Sequence, residues 1–199
     1  MRVVVVGASG TVGRAVVAEL GRRHEIVTAG RTSGELRFDA TDPASIRAGL
    51  QKVGPIDALV ATFGTVKFAP LAELDAAGYG IGLADKLMGQ VNLVLVGREF
   101  VADGGSFTLT SGILARDPVV AGSSASMVNG ALEAWVQAAA IELPRGLRIN
   151  CVSPGLLEES AAAYGAFFPG HIPVPATRVA KAYAKSVEGR LTGRVFEVF

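Results

Sequence analysis

Seven residues near the amino end, Gly7-Ala8-Ser9-Gly10-Thr11-Val12-Gly13, follow the apolar run 2–6 and open a helical pattern. Glycines at such a junction permit a tight turn and a close backbone approach to a pyrophosphate, whose charge the free amides and positive end of the helix stabilise. The spacing is G-x-x-G-x-x-G and not G-x-G-x-x-G, so its place between strand and helix carries the inference. Gly7, Ser9, Gly10, Thr11, Val12 and Gly13 are the expected phosphate cradle. A second charged group stands after the next strand, in Gly30-Arg31-Thr32-Ser33, where an acidic residue would otherwise hold ribose hydroxyls. A guanidinium flanked by two hydroxyls suits a 2′-phosphate dianion, so NADP(H) is expected in preference to NAD(H).

These groups need a scaffold that brings strand ends together. Short β-branched runs lie near 2–6, 25–29, 36–38, 56–61, 105–110, 147–152 and 194–198. Helical patterns fall near 11–21, 43–52, 79–102, 124–143 and 176–188, the first with Val12, Val16, Val17 and Leu20 on one face. Such alternation predicts an α/β fold: a Rossmann-type doubly wound parallel sheet of about seven strands, helices on both faces, with its ligand crevice beyond the strands' carboxyl ends. Residues 1–199 read as one domain, and the segment 158–175 as its only long irregular stretch. That loop carries Tyr164, Phe167, Phe168 and His171, which either form a lid over a pocket or pin the loop to the core.

Composition narrows the partners. Half the residues are hydrophobic and mean hydropathy is +0.41, as expected where strands are buried on both faces. The greasiest stretch, Leu87–Gly97, contains Gln90 and Asn92 and stops at Arg98, short of the about 18 apolar residues of a membrane span. With 19 basic and 18 acidic residues and no basic block, a small molecule is expected as partner, not nucleic acid or membrane. No secretory signal is read at the start, so the cytoplasm is the expected location, and no metal is expected. Cys151 is the only cysteine and reads as a buried inert thiol.

Further segments, in order along the chain, resemble the short-chain dehydrogenase/reductase family. Phe38-Asp39-Ala40-Thr41-Asp42 resembles the segment whose aspartate approaches adenine, here Asp39. Ala61-Thr62-Phe63-Gly64 stands where the family has Asn-Asn-Ala-Gly, and keeps only the glycine. Thr108-Leu109-Thr110-Ser111-Gly112 resembles the strand end that bears the active-site serine. Arg148-Ile149-Asn150-Cys151-Val152-Ser153-Pro154-Gly155 resembles the segment beside the nicotinamide, and Leu191-Thr192-Gly193-Arg194-Val195 the last strand. The resemblance implies cofactor contacts at Asp39, Ala61, Thr62, Phe63, Gly64, Pro154, Gly155 and Leu157. It also implies a homodimer or homotetramer through the two long helices.

The family's Tyr-x-x-x-Lys pair is missing. Placing Asn129-Gly130-Ala131-Leu132 on its Lys-Ala-Ala-Leu register puts Ala125 at the tyrosine and Asn129 at the lysine. Lys86-Leu87-Met88-Gly89 resembles the family's Asn-x-x-Gly, so lysine and asparagine stand exchanged. Two roles are open for Lys86: an ammonium near the substrate oxygen, with Asn129 on the nicotinamide ribose, or a side chain reaching out to solvent. Ser111 is expected to donate a hydrogen bond to a substrate carbonyl. Ser124 is a reserve candidate among Ser123, Ser124 and Ser126, His171 a further one in the loop, and His24 is expected at the surface. Glu159 stands where the family has a cofactor-contacting threonine. The expected function is therefore an NADP(H)-dependent oxidoreductase of a small or medium carbonyl or alcohol with a non-standard site. The alternative is a non-redox protein on the same fold, an NADP(H) sensor or an isomerase or cyclase.

Overall fold

The computed structural model describes residues 1–199. Strands β1 (Arg2–Val6), β2 (Glu25–Gly30), β3 (Leu36–Arg37), β4 (Ile56–Ala61), β5 (Val101–Thr110), β6 (Arg148–Pro154) and β7 (Val195–Val198) form one sheet in the order β3-β2-β1-β4-β5-β6-β7. Every neighbouring pair is parallel. Strand order reverses between β1 and β4, whose register runs from Val3 opposite Ala58 to Val6 opposite Ala61. Helices cover both faces, as a parallel sheet requires.

The run Val3–Val6 shows why these strands are continuously apolar. Successive side chains point to opposite faces, so Val4 and Val6 enter a core of 24 buried residues while Val3 and Val5 enter another of 16. The larger core lies under α2 (Pro43–Leu50), α4 (Gly89–Gly97) and α5 (Ser123–Glu142); the smaller lies under α1 (Thr11–Leu20) and α7 (Ala176–Glu188). Ion pairs tie α1 to α7, with Glu19 accepting from Lys181 at 2.8 Å and from Arg23 at 3.2 Å.

Three expectations are corrected. The helix expected over 79–102 begins earlier, as α3 (Ala76–Gly82), continues through a π turn, Leu83–Met88, and ends with α4 at Gly97. Val101 already belongs to β5, because the apolar residues past Gly97 pair with β4 and are not needed on a helix face. The segment 158–175 is not the only long connection: residues 62–75 join β4 to α3 with a single 3₁₀ turn at Leu71–Glu73. The 158–175 loop is itself structured, with two 3₁₀ turns, the short α6 (Ala161–Tyr164) and a bridge between Leu157 and Val174. His24, expected at the surface, is largely covered and sits 3.1 Å from Glu188.

Phe107 is fully buried, and Gly97 leaves just the space its ring fills. Phe107→Ala is expected to lower unfolding free energy by about 3–5 kcal/mol, read from the midpoint of urea denaturation; a loss below about 1 kcal/mol would mean that the core closes over the gap.

Candidate functional site

Two cavities open along the carboxyl ends of the strands. The first, about 320 Å³, is lined by Gly7 and Val6 of the β1 end, Gly30, Arg31 and Thr32 of the β2 end, Phe38 and Ala40, Phe63, Gly64 and Thr65, and Asp85. The turn into α1 is built around its glycines. Gly7 has φ +85°, and a Cβ on Gly13 would lie 2.1 Å from the Gly7 carbonyl oxygen. The helix therefore packs onto the turn as only glycine allows. Gly10 caps α1 with no side-chain hydrogen bond and no acidic residue follows in the first turn, so the amides at that end are free to meet an anion. Thr11 and Val12 stand in this first turn. Ser9 is exposed and its Oγ accepts from Ser33 at 3.2 Å.

Arg31 reaches across this cavity. Its Nη2 lies 2.9 Å from Asp85 and its Nε 3.4 Å from Asp39, while the other Asp85 oxygen accepts from the Thr65 amide at 2.6 Å. Asp39 does not line the cavity. Its carboxylate accepts from the amide and hydroxyl of Thr41 at 2.9 and 2.8 Å; these bonds, with Arg31 nearby, hold it below the usual carboxylate range. Ala61 is buried at the β4 end, and Thr62 turns its hydroxyl to the Val6 carbonyl at 3.0 Å. Of the Ala61–Gly64 segment, then, only Phe63 and Gly64 face the cavity.

The second cavity, about 300 Å³, brings together Lys86, Ser111 and Asn129 with Thr110, Gly112, Ala125, Pro154, Gly155 and Leu157. Val66 and Phe68 of the 62–75 connection and Ser160, Tyr164 and Phe168 of the 158–175 segment complete its wall. Phe68 packs on Tyr164 and Phe167 with ring centroids 6.2 and 5.9 Å apart. Other candidates stand apart. His171 stacks edge-on to Phe168 and lies 3.6 Å from Asp117, outside the cavity. Ser124 is buried and lines neither cavity. Glu159 accepts from the Ala176 amide, capping α7, so it does not replace a cofactor-contacting threonine.

Lys86 sits half-buried in the π turn, a feature frequent at functional sites. Its stem crosses Gly64, where a Cβ would be 2.4 Å from Cγ, and its Nζ donates to the Ser111 carbonyl at 3.0 Å. It does not run out to solvent. Burial of the ammonium pushes its pKa down to about 8, with Cys151 and Glu133 opposing the shift. Asn129 is buried, and its Oδ1 has no partner. Cys151, fully buried, is pushed up to about 12 by desolvation and is no nucleophile.

The expected role of Ser111 is revised. Its Oγ donates to Oε1 of buried Glu133 at 2.7 Å, so its proton is directed inward and not toward a carbonyl. Glu133 Oε2 lies 2.9 Å from Arg116, which pairs with Glu197 at 3.0 Å. Sequence reasoning passed over Glu133 and Asp85. Glu133 is one helical turn beyond Asn129, on the same face, and that spacing was its one available signal; Asp85 offered none beyond standing next to Lys86.

The lowered pKa of Lys86 has a consequence for stability. Between about 8 and its ordinary 10.5 the unfolded chain binds more protons at this residue than the folded one, so its contribution rises with pH across that window. Thermal melts of wild type and Lys86→Met are expected to show wild type gaining relative to the variant from pH ~8 to ~10.5. A flat difference would mean that the ammonium is fully solvated.

A family model described as enoyl-(acyl carrier protein) reductase matches residues 2–174. Among solved structures, the protein lin1944 from Listeria innocua is 48% identical over 100% of both chains, with a TM-score of 0.98. A small-chain dehydrogenase in complex with NADPH is 25% identical over 100% of this chain and 96% of its own, with a TM-score of 0.88. A short chain dehydrogenase from Burkholderia cenocepacia J2315 in complex with NADP, 23% identical over 99% of this chain and 95% of its own, shares the fold with a TM-score of 0.85. No curated protein matches. The family model covers most of a chain that has the expected doubly wound parallel sheet and glycine turn, and the chain belongs to the short-chain dehydrogenase/reductase family.

Proposed function

We propose that the protein is a cytoplasmic, NADP(H)-dependent oxidoreductase of a small or medium carbonyl or alcohol. The observation that carries this is a lysine ammonium with a pKa of about 8 in the same cavity as Ser111 and Asn129. The cofactor suits the residues present. Free amides at the start of α1 and the turn Gly7 to Gly13 receive the pyrophosphate. Arg31, now paired with Asp85, would with Thr32 and Ser33 hold the 2′-phosphate. Asn129, whose buried Oδ1 has no partner, would hold the nicotinamide ribose, and Pro154, Gly155 and Leu157 would border the nicotinamide. A nicotinamide cofactor held there would supply or accept a hydride. Lys86 gives or takes the proton at the reacting oxygen, since a group titrating near 8 is available in both forms at neutral to mildly basic pH.

Ala125 favours a second reading, because it is buried at the cavity wall where the family's phenol would act. On that reading the protein binds NADP(H) without redox chemistry, as a sensor, isomerase or cyclase. We also propose a homodimer or homotetramer through α4 and α5, where Leu95 and Ile141 are exposed apolar residues and a groove runs past Trp135 and Ala138.

Fluorescence titration with NADPH and NADH is expected to show tighter NADPH binding, and Arg31→Ala to weaken NADPH by about tenfold or more while leaving NADH unchanged. Binding of neither nucleotide overturns the proposal. Lys86→Ala is expected to keep NADPH binding and to lose turnover across a panel of aldehydes, ketones and alcohols. Unchanged turnover removes the lysine from the chemistry, and NADPH binding with no turnover by wild type favours the second reading. Light scattering on the eluting protein is expected to give twice or four times the chain mass; a monomer overturns the assembly.

A further inference from the structure

A serine hydroxyl has one proton and two lone pairs. That of Ser111 points its proton at Glu133, and Arg116 holds the opposite carboxylate oxygen. An ionised carboxylate can only accept, so Ser111 is fixed as the donor in this pair and offers the cavity lone pairs alone. Its neighbour Thr110 spends its hydroxyl within the protein, donating to the Ala61 carbonyl at 2.5 Å and meeting buried Tyr183, also at 2.5 Å, so its proton too is withheld from the cavity. Asn129 brings both kinds of group, a buried Oδ1 without a partner and an amide nitrogen that can donate, so the serine is the group whose polarity discriminates. Against these stands the ammonium of Lys86, which uses one of its three donors on the Ser111 carbonyl.

A carbonyl oxygen, which only accepts, would meet Ser111 lone pair to lone pair. A hydroxyl satisfies both groups, its oxygen accepting from Lys86 and its hydrogen donated to Ser111 Oγ. We infer that Glu133, by holding the Ser111 proton, makes this an alcohol pocket, in which a hydroxyl-bearing compound is the favoured occupant over the matching carbonyl. Glu133 touches neither substrate nor cofactor; it is a positioning residue that acts through Ser111. The inference rests on the oxidoreductase function proposed above, and it assigns that site's substrate class as an alcohol. The lining around the polar end, with Val66, Phe68, Ile113, Leu114, Leu156 and Phe168, suits an apolar carbon frame on that hydroxyl.

Cyclohexanol and cyclohexanone differ at the oxygen and little elsewhere, so they serve as probes. Each is titrated into the cofactor-free protein and followed by NMR at the amides of Ser111, Gly112 and Asn129. Wild type is expected to bind the alcohol about tenfold tighter than the ketone, the size of one unmatched buried polar contact. In Glu133→Gln the amide oxygen turns to Arg116 and the amide nitrogen donates to Ser111, which frees the serine proton for the cavity. The preference is therefore expected to invert, which a merely structural role for Glu133 would not produce. Ser111→Ala, which does not depend on that variant folding, is expected to bring the two probes to parity. Equal affinities in wild type, a ratio unchanged in both variants, or failure of both probes to bind overturns the inference. Because no nucleotide is present, these results are separate from the NADPH titration, whose failure would remove the oxidoreductase reading itself.

Discussion

The pairing of β1 with β4 is the constraint on which the rest of the site hangs. On one side of that pair the sheet continues to β2 and β3, on the other to β5, β6 and β7, so the connections leaving the two strand ends diverge and leave a crevice. Two short contacts hold the crevice shut at its base: the Thr62 amide donates to the Val6 carbonyl at 2.8 Å, and Gly7 approaches the Thr62 backbone so closely that a Cβ would stand 3.0 Å from it. From this floor the glycine turn leads into α1 on one face, while the 62–75 connection leads to α3 and the π turn on the other. Lys86 and Asp85 ride on the helix launched from the β4 end, the glycine turn on the β1 end, and Arg31, Ser111 and Pro154 stand at the carboxyl ends of β2, β5 and β6 beside them.

The π turn then divides its side chains between the two cavities. Consecutive residues on a helix point roughly 100° apart, and Asp85 and Lys86 diverge accordingly, one toward Arg31 and the other toward Ser111. The Arg31–Asp85 pair and the position of the lysine are thus neighbours along a single turn of chain. The stem of Lys86 passes over Gly64 so closely that a Cβ there would meet it.

Glu133 has a different standing. A carboxylate removed from water loses solvation that its partners only partly return, so a buried ion pair adds little to stability. Arg116 is itself partly exposed, and its pairing with Glu197 ties the middle of α5's buried face to β7 at the sheet edge. Such a group contributes mainly direction: it decides which way a neighbouring hydroxyl points. At Ser111 that direction sets whether the cavity sees a donor or an acceptor.

The sequence by itself determined the doubly wound parallel sheet, its strand count, and the glycine turn at the start of α1, because those depend on local periodicity and on steric limits that a few residues impose. It also brought Lys86, Ser111 and Asn129 into one expected site by their register against the family pattern. Strand ends and loop interiors were less legible: β5 began four residues early and the 62–75 connection went unread, since apolar residues there have no period that separates strand from helix. The proton of Ser111, the capping role of Glu159, the removal of His171 from the cavity, and the bonds that turn Asp39 aside depend on groups brought close by packing. Glu133 lies 22 residues beyond Ser111 and Arg31 lies 54 before Asp85. Hydrogen bonds act over about 3 Å whatever the separation along the chain, and only the tertiary structure sets which groups come within that reach.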